Sequence, residues 1–134
     1  MEPEDILKLG KPEQVIKLEW RSEGKTVAVE DDRGILSQLS RDKKFVATLQ
    51  RSDMFGYFDH IAIYNSEANI VSSLDNSLSS SFVSSDIRYA WIEEIPNNSK
   101  LFRVIAQVNL GTKMHAIHIE YLTGKVVSVL PYGY

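Results

Sequence analysis

Two stretches, IAIYNSEANIVSSL (Ile61 to Leu74) and IHIEYLTGKVVSVL (Ile117 to Leu130), decide the fold. Each opens on Ile-x-Ile, crosses a turn of the same length, and continues with two aliphatic residues, Ser, any residue and Leu. Alternation of apolar and polar residues is the period of a half-buried strand. A polar turn between two such runs is a hairpin. The closing pattern recurs in ILSQL, Ile35 to Leu39, so the strand type occurs three times.

The same punctuation extends outward. QVIKLEW, TVAVE, FVATLQ, YFDHIAIY, DIRYAWIEEI, LFRVIAQVNL and MHAIHIEYL all read as strands. Between them stand short breaks rich in Gly, Asn, Asp, Ser and Lys, which are turn-formers. Strands that follow one another without helices pair antiparallel. The expectation is an all-β chain, an antiparallel meander of about nine strands over residues 13–130, in a single domain spanning residues 1–134. EPEDILKLG, within residues 1–11, reads as a short N-terminal helix, with Pro3 and two acids in its first turn and Gly10 as its stop. Residues 72–86 read as a serine-rich loop pinned by Leu74, Leu78 and Phe82, whose four-residue spacing would also suit a helical turn.

The lead-ins WRSEGKTVAV, SRDKKFVATL and IPNNSKLFRVIAQV each place a polar, lysine-bearing turn before an apolar strand. This resembles the inner hairpins of β-propeller blades. The resemblance implies blade-like sheets. Propellers usually have four or more blades, and the copies here are spaced unevenly, 35 residues from Ile35 to Ile70 and 56 from Ile70 to Val126. A curved sheet, a sandwich, a partial propeller, or a ring completed by a second subunit all remain open.

Composition narrows the function. The 134 residues carry a net charge of -3 and no basic stripe, which argues against nucleic-acid binding. No run reaches membrane-span length. The chain has no cysteine and opens on MEPEDILKLG, without an apolar leader, so the expected compartment is the cytoplasm.

Catalytic constellations are sparse. His115 and His118 lie three apart in a strand and should point to opposite faces. His118 and Glu120 share a face, and with His60 they would form a two-histidine, one-carboxylate metal set if the fold brought His60 to them. Asp59 and His60 are neighbours expected on opposite strand faces, unable to act as a relay. No G-x-S-x-G elbow and no phosphate loop is present. No cofactor is expected. Trp20 and Trp91 each sit in an alternating strand and are expected as core anchors.

The remaining candidate is QRSDMFGYFDH, residues 50–60. If FVATLQ pairs with YFDHIAIY, RSDMFG is the hairpin tip, with Gly56 supplying a positive φ. Met54, Phe55, Tyr57, Phe58 and Asp59 then form a contact surface for another protein, or the loop folds back and buries Phe55. The expectation is a non-catalytic protein-binding module, most concretely an immunity-type or inhibitor protein that occludes a toxin or enzyme. The alternative is a small-ligand-binding protein or metal-dependent hydrolase using His60, His118 and Glu120. Homo-oligomerisation is compatible with either.

Overall fold

The computed structural model describes residues 6–11, 14–53, 56–75, 87–108 and 114–132. Among them are eleven strands and no helix. They form three antiparallel sheets. The first contains β1 (Leu7–Lys11), β2 (Gln14–Ser22) and β3 (Lys25–Glu30). The second is the meander β4 (Leu36–Leu39), β5 (Phe45–Gln50), β6 (His60–Asn65) and β7 (Ile70–Leu74). The third is the meander β8 (Ile87–Glu94), β9 (Leu101–Val108), β10 (Met114–Glu120) and β11 (Val126–Tyr132).

The all-β class holds, and the N-terminal helix does not. Leu7–Lys11 is a strand on the edge of β2, with Leu7 opposite Glu19 and Leu9 opposite Lys17. An isolated helix this short is marginal in water, whereas the edge of β2 satisfies the same backbone groups. Gly10, expected as a helix stop, instead marks a register shift in the ladder at φ 127°. Residues 1–5 lie outside the described residues.

The internal repeat is structural. Its two long copies are β6–β7 and β10–β11, the third and fourth strands of the two meanders. The ladders even skip the equivalent residue, Val71 in one and Val127 in the other. ILSQL takes a different place. β4 leaves the first sheet and pairs with β5, opening the second sheet rather than closing the first. The crossing at Asp31–Gly34 is tight: Asp31 Oδ1 accepts from Arg33 N at 3.0 Å, and Ile35 N reaches back to Val15 O at 2.7 Å. Of the serine-rich stretch, Ser72 to Leu74 belong to β7; the expected helical turn falls on residues 76–86, outside the described ones.

The second sheet is the middle layer. Ala47, Leu49, Ile61 and Ile63 face the third sheet, packing with Tyr89, Phe102, Val104, Ile117 and Ile119. Val46, Ala62 and Tyr64 face the first sheet, packing with Leu18, Trp20 and Val29. This double burial explains why FVATLQ and HIAIY are apolar almost without interruption, as in any strand covered on both faces. The first and third sheets each keep one outer face.

Candidate functional site: the β5–β6 loop and the outer face of the third sheet

β5 and β6 pair as expected, from Phe45 opposite Asn65 to Gln50 opposite His60. Residues 51–59 form the connection. Its neck is closed by Asp59, whose N donates to Gln50 O at 3.1 Å. The Asp59 carboxylate accepts from Ser52 N at 3.0 Å and also from the Ser52 hydroxyl. Gly56 does not take a positive φ; its N donates to Asp53 O at 3.0 Å in a tight turn. A Cβ there would sit 3.2 Å from that of Asp53. Met54 and Phe55 lie outside the described residues.

Past the turn the chain leans on the third sheet. Phe58 makes an antiparallel bridge with Tyr89 of β8, and Tyr89 N donates to Phe58 O at 3.0 Å. Phe58 therefore points the same way as Tyr89, into the core, where its half-buried ring packs. The Arg51 guanidinium covers the ring at 4.5 Å and donates to Gly56 O at 3.3 Å. Tyr57 alternates outward and is 61% exposed. The Arg88 guanidinium lies 4.2 Å from its ring centroid, a cation–π contact.

Asp59 and His60 do touch, against the sequence expectation. His60 Nδ1 stands 2.6 Å from Asp59 Oδ1, because β6 begins only at His60 and Asp59 is free of strand alternation. Burial pushes the Asp59 carboxyl up, but the hydrogen bonds from Ser52 and His60 outweigh it and hold the group below its ordinary value. Serine, aspartate and histidine are thus assembled in one loop in the wrong order for acyl transfer. A triad needs imidazole between hydroxyl and carboxylate, so that the base takes the hydroxyl proton. Here the carboxylate sits in the middle, and Ser52 donates to it. The arrangement closes a loop neck.

His60, His118 and Glu120 are not brought together. His60 starts β6 on the register of Ala62 and Tyr64, which faces the first sheet. His118 is on the far side of the third sheet, with the second layer's core between. Glu120 accepts from Thr123 Oγ1 at 2.9 Å and braces a turn. His115 and His118 do fall on opposite faces, beside Ala106 and Arg103 respectively. Among the described residues no three His, Cys, Asp or Glu side chains converge as a metal site.

The outer face of the third sheet was not anticipated. Cross-strand register puts Trp91, Ile105, Ala116 and Leu130 in one row. The row on one side is Glu93, Arg103, His118 and Ser128; on the other it is Arg88, Gln107, Met114 and Tyr132. Trp91 and Tyr132 come from opposite edge strands, yet their rings meet edge-to-face at 5.8 Å. They reach across the middle of the sheet, where Ile105 is fully buried and Ala116 nearly so. Trp91 stays 37% exposed and Leu130 49% exposed. Trp20 is a core anchor as expected, donating to Ser66 O at 2.7 Å; Trp91 is not.

Arg103 is neutralised by Glu93 at 2.7 Å. Burial, with Arg103 alongside, lowers the pKa of His118. By contrast, the outer face of the first sheet carries Lys17, Glu19 and Glu30, with Lys17 Nζ 3.4 Å from one carboxylate and 3.6 Å from the other. That is the make-up of a solvated face.

No protein-family model matches the chain, and no curated protein matches it. Among solved structures, a chain in the structure of Tne2 in complex with Tni2 is similar, with a TM-score of 0.73 at 19% identity. The likeness covers 88% of this chain and 78% of that one, and it bears on the fold. Among the described residues no helix is long and apolar enough to cross a membrane.

Proposed function

We propose that this chain is a non-catalytic binding protein of the immunity or inhibitor type, which occludes a partner protein such as a toxin or enzyme. The carrying observation is Tyr57, an exposed aromatic with an arginine over its ring, set between a turn and a core-anchored phenylalanine. Anchoring of this kind removes ordering cost before a partner arrives. In this reading Tyr57 is the contact, and Phe58 and Asp59 hold it in place. The similar chain comes from a structure of two proteins in complex, which supports the same reading. The connectivity of Ser52, Asp59 and His60 speaks against hydrolysis at this loop. A cytoplasmic site of action belongs to the proposal, and a chain without cysteine suits a reducing compartment.

The test is affinity capture from native lysate with quantitative mass spectrometry, wild type beside Tyr57→Ser. A partner held stoichiometrically by wild type and depleted at least about tenfold by the folded variant supports the reading, since an interface hot spot is worth about 2 kcal/mol or more. Equal capture by both removes Tyr57 from the interface.

A further inference from the structure

Building on the partner-binding reading above, we propose that the docking surface is the outer face of the third sheet together with Tyr57, and that its occupant is a partner segment presenting an aspartate or glutamate among apolar residues.

Tyr57 and the sheet form one surface. The bridge between Phe58 and Tyr89 joins Phe58 to the edge of β8. Alternation then places Tyr57 on the outer side, beside Arg88, which the 4.2 Å contact confirms. Arg88 is one row from Trp91 and shares its own row with Tyr132. The patch is therefore built from tyrosine, arginine and tryptophan, the residue types that dominate interface energetics, with Leu130 at its far edge.

Charge selects the occupant. Of the two arginines on this face, Arg103 is satisfied by Glu93. The Arg88 guanidinium lies over the Tyr57 ring at 4.2 Å, a contact that leaves its charge unneutralised. Among the described residues no ion pair to Arg88 is formed. The N–H fork of a guanidinium matches a carboxylate. The apolar row beside it, from Trp91 to Leu130, calls for aromatic or aliphatic neighbours of that carboxylate. On the opposite outer face, on the first sheet, Lys17 is paired with both Glu19 and Glu30, and Arg21 donates to the Gly24 carbonyl at 2.8 Å.

The test selects a phage-displayed random linear peptide library on the 134-residue chain. The expected result is enrichment of peptides with Asp or Glu next to aromatic or aliphatic residues. Synthetic peptides from that pool should bind at least about tenfold more weakly to Arg88→Glu and to Leu130→Asp. Both changes are at surface positions, and circular dichroism verifies the fold of each. No enrichment, enrichment of basic peptides, or undiminished binding to Arg88→Glu overturns the proposal. So does a dimer in solution that Arg88→Glu dissociates, since the occupant would then be a second copy. A lysate partner captured equally by wild type and Arg88→Glu, yet lost with Tyr57→Ser, overturns the carboxylate proposal while leaving the binding reading standing.

Discussion

The main-chain carbonyl of Phe58 accepts a hydrogen bond from Tyr89 N at 3.0 Å, and through it the β5–β6 loop joins the edge of the third sheet. Phe58 faces the core and Tyr57 faces solvent, so adjacent aromatics carry different duties. Phe58→Ala is expected to cost about 2 kcal/mol in urea unfolding, less than the 3–5 kcal/mol of a fully buried ring. Tyr57→Ala should stay within about 0.5 kcal/mol of wild type. Equal losses would mean that the two side chains share one environment.

The tryptophans should separate in the same way. Trp20 is 1% exposed and hydrogen-bonded; Trp91 is 37% exposed. In single-tryptophan variants, acrylamide should quench Trp91 readily and Trp20 poorly. Trp20→Ala should cost about 3–5 kcal/mol, and Trp91→Ala about 1 kcal/mol. Matching quenching constants would contradict the assignment of Trp91 to an outer face.

Gly124 ties two sheets together. At φ 71° it lies where a Cβ would collide with Ser72 Oγ, while that hydroxyl donates to Thr123 O at 3.1 Å. Gly124→Ala should destabilise by about 1–3 kcal/mol through overpacking and backbone strain. Adding Ser72→Gly should recover part of the loss, leaving the backbone share. A neutral Gly124→Ala in chemical denaturation would rule out the close approach.

Stability should fall in mild acid. The pKa of His118 is lowered from 6.5 by burial and by Arg103, so below pH 6.5 the unfolded chain takes up the proton first. Where the unfolded state binds more protons, stability drops as pH drops. The loss therefore begins below 6.5 and levels off beneath the folded-state value. Asp59, lowered from 3.8, adds a loss of the same sign at more acidic pH. Melting temperature against pH should show the first limb in wild type and a flatter one in His118→Leu. Parallel curves would remove His118 from the explanation.

Much of this architecture was legible because turns and alternation are local signals. The repeat of Ile61–Leu74 in Ile117–Leu130 located the last hairpin of two sheets. Leu7–Lys11 does not read as a strand because five residues of weak alternation, next to acids and Pro3, satisfy a helix start as well as an edge strand. Only the partner strand β2 decides between them. Trp91 differs from its expected place for a related reason. Both faces of β8 carry apolar residues, and alternation separates faces without telling which one a neighbouring sheet covers. The contact of Asp59 with His60 depends on where β6 begins, a boundary that local pattern fixes least well.

Where a partner sits distinguishes the two outer faces. Hydrogen–deuterium exchange of the chain, free and bound to its captured partner, measures that directly. Protection concentrated in residues 57–59, β8 and β11 is the predicted result. Protection confined to β2 and β3, on the ion-paired face of Lys17, Glu19 and Glu30, would contradict it.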